Sequence, residues 1–231
     1  LAAVSFRAGL TARVTLAGHP DVLKSPAVAE GLLHRLRECP VPWHDAADTV
    51  TPGPPLYALS ERLPPNLLLI DTPDFDTDLD GELAHRAEAE PVLRTAEVLI
   101  YLFTNTVYNN LSNTQFMADV VGGIGGRPTV LVYRISRAAS DAEALSHCHV
   151  VANKLFGHKG SDWPAEVIGV YRMHESDAVA EGESAPQLFA LSEHVQRSSL
   201  SELLSGLDVA RIKRHVFSAD LQAILQGAAA D

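Results

Sequence analysis

The chain is short of cysteine, of positive charge and of long apolar runs, and each shortage excludes a class of protein. Cys39 and Cys148 are its only cysteines and have no metal-type spacing, so we expect a reducing, cytoplasmic compartment. Lysine and arginine total 18 against 29 acidic residues, a net charge of −11, which argues against a general nucleic-acid or anionic-membrane surface. The longest apolar run, Val98–Phe103, is far shorter than the ~20 residues of a bilayer span.

A phosphate-binding loop of the form G-x-x-x-x-G-K-[ST] is also missing from the sequence. The chain starts at Leu1 without an initiator methionine, and we therefore expect it to be a fragment or a processed form. Its apolar content of 46% is sufficient for a substantial core. The length of 231 residues predicts one domain over 1–231, with a core at about 11–195 and C-terminal helices at 199–226.

Short apolar runs alternate along the chain with segments of helical periodicity. Ala12–Ala17, Leu67–Ile70, Glu97–Thr104, Pro128–Tyr133 and Glu166–Tyr171 are predicted strands, most of them buried on both faces. The predicted helices are Ala27–Cys39, Gly81–Ala89, Asn113–Val121, Asp141–Phe156, Ser199–Leu204 and Val209–Leu225, and Pro40–Pro55 is predicted to be a loop. This order predicts an α/β fold: a three-layer, mostly parallel sheet with helices on both faces.

The most informative segment is Leu67–Asp78, LLLIDTPDFDTD, in which an apolar strand leads directly into an acid. The carboxyl ends of parallel strands form the edge at which open α/β sheets bind ligands. We therefore expect Asp71, Thr104 and Tyr133 to lie along one edge of the sheet.

This segment resembles the strand and D-x-x-G loop of bacterial dynamin-like and Era-like GTPases, including a subgroup that has DTPDFD. Two weaker matches accompany it: Val98–Phe103 with the following TNTVYNN, and PTVLVYRIS, which stands where that group has NKxD. Together they cover roughly Thr11 to Tyr171. The resemblance implies a bacterial GTPase with a P-loop GTPase-like fold that is N-terminally incomplete here. It also implies GTP and Mg²⁺ as ligands, provided that a phosphate loop precedes Leu1.

On the metal side, the resemblance assigns Asp71 to Mg²⁺, held through water. Thr72, Pro73 and Asp74 would shape the loop beside the γ-phosphate, and Thr11 would close over the metal. Two plainer readings stay open: Asp71 as an acid that caps the loop after its strand, and Thr11 as a β-favouring residue at a strand edge.

On the base side, Tyr133, Arg134 and Ser136 align with the motif that reads guanine. Ser136 lacks the carboxylate that accepts hydrogen bonds from the guanine edge, and Asp74 replaces the glycine of D-x-x-G. Arg134 is placed either to stack on a base or to form a surface ion pair. These departures support an alternative function: a degenerate pseudo-GTPase that serves as an interaction module with weak or no nucleotide binding.

The acidic segment after this predicted strand has further interpretations. The alternation of Asp74, Asp76, Asp78 and Asp80 either binds a divalent ion directly or forms a solvated, switch-type loop. The segment DFDTD at 74–78 also has the two acids of the D-x-D-x-T motif of haloacid-dehalogenase-like phosphatases, although Asp78 stands at the threonine position and that motif directly follows its strand. The expected partners are the nucleotide and either a second copy or another protein; no nucleic acid is predicted, and membrane contact stays open.

Overall fold

The computed structural model describes residues 11–24, 30, 36, 38–73, 89–104, 111–122, 127–135, 140–157, 161–174, 176–180, 184, 187–191 and 199–228. The chain divides into two compact units, Leu1–Thr95 and Ala96–Asp231. Each unit is built on a four-stranded mixed sheet accompanied by helices. The predicted α/β class is therefore confirmed.

The first unit contains four short strands, of which three are parallel. In spatial order they are β2 (Val41–Pro42), β3 (Leu56–Leu59), β1 (Thr15–Gly18) and β4 (Leu68–Asp71). Strand β1 pairs with β3 in parallel and with β4 in antiparallel register. Helix α1 (Pro20–Lys24) follows β1, a 3₁₀ turn spans Ala46–Thr49, and residues 89–93 are helical.

The core of the first unit lies against one face of this sheet. Val14 and Leu16 are buried with Leu36 and Val92, and Tyr57, Leu68 and Ile70 pack against them. Because side chains alternate along a strand, Leu68 and Ile70 on β4 reach the same face. Leu69 and Asp71 therefore project to the other face.

The second unit contains three longer parallel strands and one antiparallel edge strand. Strands β5 (Leu99–Phe103), β6 (Thr129–Ile135) and β7 (Val167–His174) pair in parallel, and β8 (Leu188–Ala190) runs antiparallel to β7. The helices of this unit are α2 (Leu111–Gly122), α3 (Asp141–Phe156), α4 (Asp177–Ala180), α5 (Leu200–Ser205) and α6 (Val209–Ala228).

Helices cover both faces of the second sheet. Leu203 of α5 packs with Val130, Val132 and Tyr171 on one face. Tyr133, which projects to the opposite face of β6, packs against His147 of α3. Helix α3 has well-defined ends, since the Ser140 hydroxyl accepts from the Glu143 amide and Gly157 ends the helix at a φ of 62°. The predicted three-layer arrangement is thus present within this unit.

The structure differs from the sequence-based prediction in how the strands are joined. One sheet was expected, whereas the described strands form two sheets, and β4 is antiparallel to its neighbour. Asp71 consequently lies in a different sheet from Tyr133 and from the strand that Thr104 follows, so the prediction of one common edge is wrong. An apolar run reports burial but carries no information about strand direction or partner.

Several predicted elements are found close to their expected limits. The strands predicted at 67–70, 97–104, 128–133 and 166–171 correspond to β4, β5, β6 and β7, and α3 has the predicted bounds. Most of the helices predicted at 27–39 and 81–89 lies outside the described residues, as do Asp74 and Ser136. In the part of the chain that is described, no helix combines the length and apolar character needed to cross a membrane.

Candidate functional site

Asp71, which the sequence predicts to bind the metal, is the last residue of β4 and is exposed. It stands opposite Thr15 in the antiparallel pair of β4 with β1. Antiparallel pairing brings the end of one strand beside the start of its neighbour. The chain that leads into β1, which includes Thr11, therefore approaches the end of β4 that carries Asp71.

The two threonines of this region are both buried. Thr11 and Thr15 are each 7% exposed. Beyond β4, Thr72 is half-buried and Pro73 is buried, and both have left the strand. At this end of the β1–β4 pair, Asp71 is thus the acidic group at the surface, while Thr11 and Pro73 lie in the interior.

Arg13 organises the segment between Thr11 and β1, a role that no pattern in the sequence indicates. Its guanidinium donates to the Thr51 carbonyl oxygen at 2.5 Å, to the Thr51 hydroxyl at 3.1 Å and to the Pro52 carbonyl at 3.4 Å. The Ala12 amide also donates to the Thr49 carbonyl at 2.7 Å. The chain before β1 is therefore tied to the loop at 49–52.

A compact turn supports that loop from the other side. The Asp48 carboxylate accepts from the amides of Asp45 and His44 at 3.0 and 3.2 Å, while the Asp45 side chain caps the 3₁₀ turn. These bonds to the Asp45 and His44 amides, with help from the nearby charge of Arg13, lower the pKa of Asp48 below its ordinary value of 3.8.

On the predicted base side, Tyr133 and Arg134 project in opposite directions. The Tyr133 ring is buried, 5.3 Å from the ring of Phe103 and 5.1 Å from that of His147. A further stacked contact joins Phe103 to Tyr101 at 5.5 Å. Tyr133 therefore belongs to an aromatic row in the core. Arg134 is exposed, at the carboxyl end of β6.

A group at the end of β7 was also missed by sequence reasoning. Arg172 Nε lies 2.6 Å from Asp141 Oδ1, at the first residue of α3, and its Nη1 lies 2.6 Å from His174 Nε2. The guanidinium also sits 4.8 Å from the centre of the Phe189 ring. Because Asp141 is well exposed, this group is a tether between α3 and the carboxyl edge of the sheet rather than a buried charge pair. No pattern in the sequence links residues 141, 172 and 189.

A magnesium ion of the kind that the resemblance implies makes few demands on protein ligands. Mg²⁺ commonly keeps several waters and binds through one or two carboxylates plus substrate phosphates. Among the described residues, no group of three or more His, Cys, Asp or Glu side chains is arranged to hold a metal. Asp71 lies exposed at a strand end and belongs to no such group of described residues.

No protein-family model matches this chain, and neither a curated protein nor a solved structure matches it.

Proposed function

We propose that this chain belongs to a GTP-binding and GTP-hydrolysing domain, of the dynamin-like or Era-like kind, that acts as a nucleotide-dependent switch. The observation that carries the proposal is the segment Leu67–Asp78, LLLIDTPDFDTD. Its apolar residues form a strand, and its first aspartate ends that strand at the surface.

The pairing of β4 with β1 supports the proposed metal side. Thr15 stands opposite Asp71, and Thr11 lies four residues further toward the amino terminus. The segment nominated to close over the metal therefore leads into the strand beside Asp71. In this proposal Asp71 holds Mg²⁺ through a water, while Thr72, Pro73 and Asp74 form the loop that responds to the γ-phosphate.

The second sheet supports the proposed base side. Its strands β5, β6 and β7 are parallel, so their carboxyl ends meet at one edge, which is the general position of ligands in open α/β sheets. Arg134 and Ser136 belong to the end of β6 and the chain after it. Mg²⁺, when bound, supplies charge neutralisation on the phosphates, and catalysis of in-line attack by water is mainly a matter of positioning.

The test is calorimetry with GTP and Mg²⁺ on the natural full-length protein, together with the sequence encoded before Leu1. The proposal expects a G-x-x-x-x-G-K-[ST] loop in that sequence and saturable binding in the micromolar range. Asp71→Asn should weaken Mg²⁺-dependent binding at least tenfold, about 1.4 kcal/mol. Glu61→Gln, which removes one exposed charge elsewhere in the first unit, should leave the affinity unchanged. Absence of the loop would overturn the proposal.

The alternative is a pseudo-GTPase that binds protein partners. Asp74 in place of glycine and Ser136 in place of the base-reading acid favour it. The buried ring of Tyr133 favours it as well, because a ring committed to the core is not available to contact a base. If the full-length protein carries the phosphate loop and still shows no heat of binding at millimolar GTP, the result selects this alternative over the leading proposal.

A further inference from the structure

Helix α6 has apolar side chains on two sides. Ile212 and Val216 are half-buried on one side. Phe217, Leu221 and Leu225 are 69, 46 and 60% exposed on the other. At 3.6 residues per turn, the centres of these two groups lie roughly 160° apart around the helix. The exposed group therefore points away from the surface that the helix packs on.

Two polar contacts lie at the start of α6. Lys213 Nζ lies 3.3 Å from Glu97 Oε1, at the chain that enters β5. The Arg211 amide donates to Asp208 Oδ1 at 2.9 Å, which caps the helix. Phe217, Leu221 and Leu225 follow further along the helix and are exposed. We call them, together with positions 214 and 228 in line with them, the outward stripe.

The charges of α6 run against its own helix dipole. Arg211, Lys213 and Arg214 lie in the first two turns, the first turn has no acid, and the last turn has no base. A helix N-terminus carries partial positive charge and its C-terminus partial negative charge, so cations are favoured at the C-terminus. Residues 221–228 contain no charged side chain. A second helix that ran antiparallel would bring its cations to this C-terminal end.

We propose that two copies of this chain associate through their outward stripes, with the two α6 helices antiparallel and a two-fold axis at Leu221. In this register Leu221 meets Leu221 of the second copy, Phe217 meets Leu225, and Arg214 reaches position 228. The stripe is self-complementary, as an isologous interface requires. Arg214 of each copy lies beside the C-terminal end of the other helix, which carries partial negative charge.

The charges near the outward stripe and the small size of the stripe favour an antiparallel second copy over a parallel copy or a lipid surface. A parallel pair would set Arg214 against Arg214. Helix α6 itself carries a net charge of +2, from Arg211, Lys213 and Arg214 against Asp220, so the rest of the chain carries −13 and an anionic lipid surface would repel it. Three exposed apolar side chains per copy make a much smaller interface than the roughly 20–30 residues a side of standard complexes. We therefore expect a reversible dimer with a dissociation constant in the micromolar range or weaker.

Sedimentation equilibrium of the chain over protein concentrations from about 1 to 300 µM tests the association. The expected result is a monomer–dimer equilibrium that Phe217→Glu weakens at least tenfold. His215→Glu introduces the same side chain on the exposed polar side of the same helix and should leave the equilibrium within about twofold of wild type. Circular dichroism must show equal helix content in the two variants. A monomer throughout the range, or equal effects of the two substitutions, would overturn the proposal.

Disulfide trapping tests the direction of pairing. In a Cys39→Ser background, Leu221→Cys should form a dimer on mild oxidation because the two sulfurs meet at the axis. Phe217→Cys should not, since its two copies lie about 12 Å apart along the helices. Trapping of both variants would show a parallel pair and contradict the proposed geometry. Co-sedimentation of a monomeric chain with phosphatidylserine vesicles, abolished by Phe217→Glu, would replace the second copy with a lipid surface.

Discussion

The ring of His147 lies 5.1 Å from the ring of Tyr133, tilted by 33°. This contact joins α3 to the end of β6, and it continues the row that runs through Phe103 to Tyr101. A residue that the sequence nominated for the nucleotide is thus part of the packing between a helix and its sheet.

Replacement of Tyr133 should therefore affect stability before it affects any ligand. We expect Tyr133→Ala to lower the free energy of unfolding by about 3–5 kcal/mol, because it empties an aromatic volume in the core. Tyr133→Phe keeps the ring and should cost less than about 1.5 kcal/mol. Urea unfolding measures both. A stable Tyr133→Ala variant would show that the aromatic row does not support the fold.

The two thiols should differ sharply in reactivity. Cys39 is exposed, whereas Cys148 is buried in α3 and burial raises its pKa to about 12. Since the thiolate is the reactive form, Ellman's reagent at pH 8 should titrate one thiol per folded chain and two in denaturant. Cys39→Ser should reduce the folded count to zero. A fast second thiol in the folded protein would mean that α3 opens on the timescale of the assay.

Asp48 should make the first unit sensitive to acid. Its folded pKa is lowered, so it contributes stability that is present above the ordinary value of 3.8 and is lost as the pH falls through the folded value. Asp48→Asn should lower the urea midpoint at pH 7, and this difference from wild type should shrink steadily below pH 3.8. Glu61→Gln serves as the control, with no difference expected at pH 7. A difference for Asp48→Asn that is independent of pH would show that geometry, rather than charge, is the source.

The Arg172 tether should depend more on the arginine than on its acid. Asp141→Asn is expected to cost about 0–1 kcal/mol, since the carboxylate is exposed and screened. Arg172→Ala should cost about 1–2 kcal/mol, because it also removes the contacts with Phe189 and His174. Thermal unfolding compares the two, with Glu143→Gln on the same turn of α3 as the control. Equal losses for the two variants would indicate that the ion pair alone holds the tether.

Local sequence signals were sufficient to locate most elements. Asp141–Phe156 was predicted with its observed limits from its apolar periodicity and from the glycine that follows it, and the structure adds a cap on Ser140. The parallel strands β5, β6 and β7 follow from continuous apolar runs separated by helices. Which strands pair with each other was harder to predict from the sequence. The pairing of Leu68–Asp71 with Thr15–Gly18 joins segments about fifty residues apart, and no local pattern encodes it.

The candidate site was predictable only in part for the same reason. Asp71 stands at a strand end, as an acid directly after an apolar run should. The Tyr133 ring is buried because of its position in the alternation of side chains along β6. In a strand whose residues are all apolar, the sequence does not show which side chains face a helix. Arg13 and Arg172 were overlooked because their partners, Thr51 and Asp141, are 38 and 31 residues away in the chain.

The hydrogen bonds of Arg13 with residues 51 and 52 place its guanidinium beside position 53. A Cβ atom on Gly53 would lie 2.7 Å from the Arg13 guanidinium, so the guanidinium must shift to admit any side chain there. The amino acids at positions 13 and 53 are therefore coupled, because a side chain at 53 and the present position of the Arg13 guanidinium exclude each other. Conversely, Gly53→Ala is a way to disturb the Arg13 contacts alone, since it alters no donor or acceptor and leaves the hydrogen bond from the Ala12 amide to the Thr49 carbonyl in place.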